Sequence, residues 1–158
     1  MQWLVLLPLV AIIYEDFRYR AIHWIWLFVL AILGFVETPF SLKKLTINLV
    51  FLTFQYLGIT LYFSLKNKRW TNVTEGYIGL GDILFFISIV GFYDIRELVH
   101  FFILGLLFSL IGFLGFQKIE YFKSATIPLA GWLSVFMIIC TIIKQVCHVN
   151  LLTQLRLI

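Results

Sequence analysis

Residues 98–116 read LVHFFILGLLFSLIGFLGF, a stretch of 19 residues without a single Asp, Glu, Lys or Arg. A helix needs about 20 predominantly apolar residues to cross the hydrocarbon core of a bilayer. The stretch also lacks the alternation of apolar and polar residues that is typical of a membrane-spanning β-strand. Its length and composition therefore predict a transmembrane helix.

Five further apolar stretches lie between clusters of charged residues. They are Met1–Tyr14, Ala21–Val36, Leu45–Leu65, Tyr77–Tyr93 and Ala125–Ile143. Because lipid offers no hydrogen-bonding partner to the backbone, such stretches cross a bilayer as helices. The chain is therefore predicted to be a single domain, residues 1–158, folded as an all-α integral membrane protein with a bundle of six transmembrane helices. The first helix is expected to continue past Tyr14, and the fourth to begin before Tyr77.

The composition excludes the main alternative classes of protein. Residues of the AVILMFWYC group make up 62% of the chain, charged residues only 13%, and the mean hydropathy is +1.01. Soluble domains are about 45–50% apolar and about 25% charged, so a soluble enzyme and a disordered chain are both excluded. The net charge of +4 is scattered, without a basic stripe for nucleic acid. Cys140 and Cys147 form no C-x-x-C pair, and neither a metal site nor a cofactor is expected.

The distribution of basic residues predicts the orientation in the membrane. Seven of the 12 Lys and Arg residues fall in the first, third and fifth connections between the apolar stretches. Since Lys and Arg accumulate in cytoplasmic loops, these three connections are expected on the cytoplasmic side. Both termini are then expected outside.

One acidic residue stands apart from the others. Asp82 follows Gly79-Leu80-Gly81 and runs directly into the apolar residues 83–87, so it is expected within the fourth helix. Ionisable groups at membrane depth are costly and are candidates for function. Gly79 and Gly81 have no side chains and would let a neighbouring helix or an extended substrate approach the carboxylate. The other acids outside the first connection border loops and are interpreted as solvated: Glu37, Glu75, Asp94, Glu97 and Glu120.

A second carboxylate is available at the same membrane face. Residues 15–20 read EDFRYR at the end of the first helix, so either Glu15 or Asp16 can approach Asp82. Two neighbouring carboxyls share a proton, and one then activates water while the other donates to a carbonyl, which is the chemistry of aspartyl proteases. The chain has three scattered histidines, namely His23, His100 and His148. No Ser or Cys lies beside a candidate base.

The chain resembles the type IV prepilin peptidases, whose patterns are D-x-[RK]-x-x-x-I after the first helix and G-x-G-D later. Residues 16–22, DFRYRAI, match the first pattern, and residues 79–82, GLGD, match the second. Ile127-Pro128 matches a weaker element near the last helix. The resemblance spans essentially the whole chain.

The resemblance implies that Asp16 and Asp82 are the catalytic pair of a membrane aspartyl endopeptidase. Its substrate would be a type IV prepilin-like precursor, cut after a Gly that precedes the apolar helix of the precursor. The cut would occur at the cytoplasmic face of a bacterial inner membrane, without a cofactor. The chain departs from the family where His23 replaces a common Pro and Leu84 a common Lys. Large members also carry a methylating domain with paired cysteines before the first helix, so cleavage without methylation is expected here.

Two alternatives remain open at this stage. A presenilin-like intramembrane protease also uses G-x-G-D, but its Tyr-Asp and Pro-Ala-Leu motifs correspond to Tyr14-Glu15 and Pro128-Leu129-Ala130 here. A small protein that translocates ions or protons would need further acids near the middle of the membrane. The stretches 98–116 and 125–143 contain none.

Overall fold

A computed structural model describes residues 2–39, 41–70, 73–74, 78–116 and 128–146. All of the regular secondary structure in these ranges is helical, which confirms the predicted all-α class. A short 3₁₀ helix, Gln2–Val5, precedes six α-helices. These are α1 (Leu6–Tyr19), α2 (Trp24–Glu37), α3 (Leu42–Asn67), α4 (Leu80–Ile89), α5 (Ile95–Phe116) and α6 (Leu129–Val146). Each predicted apolar stretch therefore supplies one helix.

The ends of α1 and α4 test the predicted extensions. Helix α1 continues past Tyr14 to Tyr19, as expected, and ends where Arg20 adopts a left-handed conformation with φ of 55°. Glu75 and Tyr77 lie outside the described residues. Helix α4 does not extend back toward them. It begins at Leu80, and Gly79 directly before it is extended, with φ of −66° and ψ of 140°. The prediction of an earlier start for the fourth helix is therefore wrong.

Two helices are long and apolar enough to cross a membrane. They are α3 over residues 42–67 and α5 over residues 95–115. Helices α2, α4 and α6 are apolar but shorter. The described part of the chain therefore favours association with a membrane through α3 and α5.

The core of the bundle is formed by α1, α2, α4, α5 and α6. Helix α6 packs against α1 and α5, and α2 packs against α4 and α1. The buried core side chains include Leu9, Ile12, Leu30, Phe85, Ile89, Phe101 and Leu133. Helix α3 lies at the edge, where only 11% of its most apolar window is buried. The C-terminus of α1 and the N-termini of α4 and α6 consequently meet at one end of the bundle.

Polar side chains fasten the opposite end of the bundle. The buried Asn48 of α3 donates from Nδ2 to the carbonyl oxygens of Val90, at 3.1 Å, and Tyr93, at 2.8 Å. Thr38, after α2, donates from Oγ1 to the carbonyl of Gly91 at 2.7 Å. These bonds satisfy carbonyl groups that the end of a helix leaves unpaired. The connection between α4 and α5 is therefore held by both α2 and α3.

Candidate active site

Asp16 and Asp82 converge on one turn of α6. The backbone N–H of Ala130 donates to Oδ1 of Asp82 at 2.9 Å, and the N–H of Gly131 donates to Oδ2 of Asp16 at 2.6 Å. Adjacent backbone nitrogens of a helix are about 3 Å apart, so the two bonded carboxylate oxygens lie at most about 8.5 Å from each other. The structure therefore brings together the two carboxyls that the sequence singled out.

Asp16 reaches this turn because it continues the buried face of α1. Leu9, Ile12 and Asp16 are buried residues of that helix, and their spacing of three and four puts them on one side. The side chain of Asp16 is only 7% exposed. Helix α1 thus carries a carboxyl into the bundle at the end of an otherwise apolar stripe.

The neighbouring acid, Glu15, has a different set of partners. Its Oε2 accepts the backbone N–H of His23 at 2.8 Å, and its Oε1 accepts Nε1–H of Trp26 at 3.1 Å. Glu15 therefore ties the end of α1 to the first turn of α2, and Asp16 is the residue that reaches α6. A Pro at position 23 would have no N–H to donate to this carboxylate.

Asp82 lies in the first turn of α4, and two glycines precede it. Its N–H donates to the carbonyl of Gly79 at 3.1 Å. A Cβ on Gly79 would lie 3.1 Å from Oδ2 of Asp82, and one on Gly81 would lie 3.1 Å from Cδ1 of Ile22. Ile22, the last residue of the D-x-R motif, therefore packs on Gly81 of the G-x-G-D motif. Contact of Gly79 and Gly81 with a substrate stays a prediction.

The N-terminus of α6 is the part of the site that sequence reasoning missed. The first N–H groups of a helix have no partner within the helix and carry the positive end of its dipole. Ala130 and Gly131 use two of these groups to hold two carboxylates. The signal available in the sequence was Pro128, a residue that commonly precedes or opens a helix. Ile127, its partner in the weak motif, lies outside the described residues.

Gly131 leaves little room for a side chain. A Cβ there would lie 3.0 Å from Oδ2 of Asp16 and 3.0 Å from Cε2 of Phe17. The Phe17 ring also packs edge-to-face on Trp132, with the ring centroids 5.3 Å apart. Glycine at position 131 therefore permits the close approach of α1 to the first turn of α6.

Two arginines follow Asp16 in the chain, and they have different surroundings. Arg20 is the cation that interacts electrostatically with Asp16. Arg18 is exposed, and its guanidinium lies 5.5 Å from the ring centroids of both Tyr14 and Tyr19 and donates to the Tyr14 hydroxyl at 2.6 Å. Two carboxylates that interact, as Asp16 and Asp82 do, favour a state in which one is protonated. Backbone N–H groups and Arg20 then stabilise the remaining negative charge.

The other candidate residues lie away from this turn or outside the described chain. Asp94 is at the opposite end, where it pairs with Lys44 at 3.4 Å. Leu84 is 44% exposed and two residues from Asp82, so a Lys there would point to another side of α4. Among the described residues, no three His, Cys, Asp or Glu side chains are grouped to hold a metal ion. Predictions for Glu120, Cys147 and His148 fall outside the described residues.

No protein-family model, curated protein or solved structure matches the chain. The functional assignment therefore depends on the geometry of the two carboxyls and the first turn of α6. A buried and a half-buried carboxyl joined to one helix N-terminus can share a proton and activate water between them.

Proposed function

We propose that the protein is a membrane aspartyl endopeptidase that removes the leader peptide of type IV prepilin-like precursors. The observation that carries the proposal is the convergence of Asp16 and Asp82 on the successive N–H groups of Ala130 and Gly131. Membrane helices rarely carry two carboxyls, one buried and one half-buried, at the same place without a functional reason, because each charge is costly there. A pair that shares a proton supplies both an acid and a base.

In the proposed reaction, the unprotonated carboxylate takes a proton from water while the water oxygen attacks the scissile carbonyl carbon. The protonated carboxyl donates its proton to the carbonyl oxygen. The tetrahedral intermediate then collapses and the C–N bond breaks. The leaving amine takes a proton from the first carboxyl, and one hydroxyl of the intermediate returns its proton to the second carboxyl, which restores the starting state of the pair. One oxygen of each carboxyl is fixed by α6, at 2.9 Å from Ala130 N and 2.6 Å from Gly131 N. The second oxygen of each carboxyl carries out the proton transfers.

In the proposed arrangement, the chain crosses the bacterial inner membrane six times, and both termini lie on the side opposite the cytoplasm. In an up-and-down bundle, the C-terminus of α1 and the N-termini of α4 and α6 share a face. The connections at that face carry more Lys and Arg than the others, which favours placing that face on the cytoplasmic side. A leader emerging on the cytoplasmic side would then meet Asp16 and Asp82.

Co-expression with candidate prepilins tests the activity. The wild-type protein is expected to shorten the precursor on a gel, and mass spectrometry of the product is expected to give a new N-terminus after a Gly. Asp16→Asn and Asp82→Asn should abolish shortening, because an amide cannot take a proton from water. Asp94→Asn is the matched control, since its side chain is 75% exposed at the other end of the bundle. Full shortening by Asp82→Asn would refute the proposal.

Single-cysteine labelling tests the orientation. In a chain whose native cysteines are replaced by Ala, Lys68→Cys after α3 should be labelled from the cytoplasm. Lys43→Cys, at the start of the same helix, should be labelled from outside. Both lysines are exposed, so accessibility is matched. Labelling of Lys68→Cys from outside would refute the arrangement.

A further inference from the structure

An apolar cavity of about 350 Å³ lies beside Asp82, between α3, α4, α5 and the start of α6. Among the described residues that line it, ten are Leu, Ile or Phe, and Asp82 is the one with an acidic or basic side chain. Protein interiors are close-packed, and voids larger than a water molecule are few. A volume of about 350 Å³ instead falls in the range of ligand-binding pockets. The cavity therefore has room for an apolar ligand.

The cavity lies at the depth of the lipid hydrocarbon. Its walls on α3 and α5 belong to the two helices that are long and apolar enough to cross a membrane. On α3 the lining runs from Leu49 to Ile59, whereas the helix runs from Leu42 to Asn67. About two turns of helix therefore lie beyond the cavity at each end. Lipid headgroups stay near the ends of a membrane span, so hydrocarbon is the part of a lipid that reaches the cavity.

The cavity opens on the side of the bundle that faces lipid. Three residues of its lining are exposed, namely Leu49 and Thr53 of α3 and Ile87 of α4. The exposed side chains of α3 are largely apolar as well, and they include Val50 and Phe54. A hydrocarbon chain can therefore pass from the bilayer into the cavity without leaving an apolar environment.

The length of the cavity matches one hydrocarbon chain. From Leu49 to Ile59, α3 advances by about 15 Å, at about 1.5 Å per residue. The hydrocarbon core of a bilayer is about 30 Å thick, so the chains of one leaflet extend over about 15 Å. Water is a poor alternative occupant, because apolar cavities offer it few hydrogen-bonding partners and stay dry. Length and lining both point to one hydrocarbon chain.

We propose that this cavity binds one acyl chain of a membrane phospholipid. The chain supplies the dispersion contacts that the walls of an empty cavity lack. Asn48 attaches α3 to the carbonyls of Val90 and Tyr93 directly before the first lining residue, and the bound chain then joins α3 to α4 and α5 along the cavity. The inference requires α3 and α5 to lie in a bilayer, and it does not depend on the proposed protease activity.

Photo-labelling of the full-length protein in phosphatidylcholine vesicles tests the proposal. The probe is phosphatidylcholine with a diazirine in the middle of one acyl chain, and labelled residues are located by mass spectrometry. Labelling is expected at Tyr56 and Phe102, which line the cavity. Leu106→Trp fills the cavity and should reduce this labelling at least about tenfold, the effect of losing the burial of part of one chain. Leu107→Trp is the matched control, because Leu107 is 51% exposed and outside the lining.

A second pair of variants on α3 guards against misfolding of Leu106→Trp. Ile59→Trp fills the cavity from the other wall, whereas Leu57→Trp changes a residue that is 51% exposed and outside the lining. Phosphatidylcholine added to delipidated protein should raise the thermal unfolding midpoint of the wild type and of both control variants, because a ligand stabilises the state that binds it. The filled variants should unfold cooperatively, with a midpoint that the lipid leaves unchanged.

Labelling of Phe54 serves as the reference for contact with the bulk bilayer, since this side chain is exposed and outside the lining. It should be the same in all variants. Equal labelling of Tyr56 and Phe102 in filled and control variants would overturn the proposal, because these residues would then contact only bulk lipid. Crosslinks between two copies of the protein through the lining would identify a second copy as the occupant and would also overturn it.

Discussion

Replacing Gly131 by Ala should disable the candidate site while leaving the fold in place. The new Cβ would lie 3.0 Å from Oδ2 of Asp16 and 3.0 Å from Cε2 of Phe17. A contact of 3.0 Å is tighter than nearly all real Cβ contacts, so the carboxylate of Asp16 and the ring of Phe17 must each give by a few tenths of an ångström. The carboxylate must then move away from the N–H of residue 131, which it now meets at 2.6 Å.

The size of the effect follows from the contact that is lost. A hydrogen bond to a charged group contributes about 1.5–3 kcal/mol. If that stabilisation is lost from the reacting geometry, the rate of cleavage falls by about 10- to 100-fold. Overpacking against Phe17 destabilises the fold by about 1–3 kcal/mol in addition.

The assay is the initial rate of precursor cleavage by purified protein, with the unfolding midpoint measured in parallel. Gly58→Ala is the matched control, because a Cβ on Gly58 meets nothing within 4 Å and alanine favours helical backbone. That variant should cleave at the wild-type rate and be slightly more stable. A wild-type rate in a folded Gly131→Ala protein would refute the idea that α6 positions Asp16.

Three further outcomes are expected. The double variant Asp16→Asn with Asp82→Asn should lose no more activity than either single variant, because a pair that shares one proton works as a unit. Additive losses in the cleavage rate would contradict this expectation. Glu15→Gln should still cleave but unfold more readily by about 1 kcal/mol, seen in the thermal midpoint, because it weakens the link to His23 and Trp26. Asn48→Leu should lower stability by about 2–3 kcal/mol, since it removes the donor to the buried carbonyl of Val90 and the part-buried carbonyl of Tyr93. An unchanged midpoint would exclude that role.

The sequence by itself determined the helical class and most helix positions, because apolar stretches bounded by charges leave the backbone few alternatives in lipid. It also indicated that α1 continues into its charged residues, since the apolar stretch Met1–Tyr14 is shorter than the about 20 residues of a membrane span. The start of α4 was misjudged. Hydropathy does not report the extended backbone of Gly79, the residue directly before the first turn of α4.

Tertiary structure alone decided how the candidate site is held together. The N–H groups of Ala130 and Gly131 belong to the backbone, so no side-chain pattern in the sequence announces that they bind Asp82 and Asp16. Similarly, Glu15 and Asp16 are adjacent acids, and only the packing of α2 and α6 gives them different partners. An apolar cavity of about 350 Å³ lies beside Asp82, between α3, α4 and α5. Its size depends on how far α3 lies from its neighbours, and this distance is set by packing between helices that are distant in the sequence.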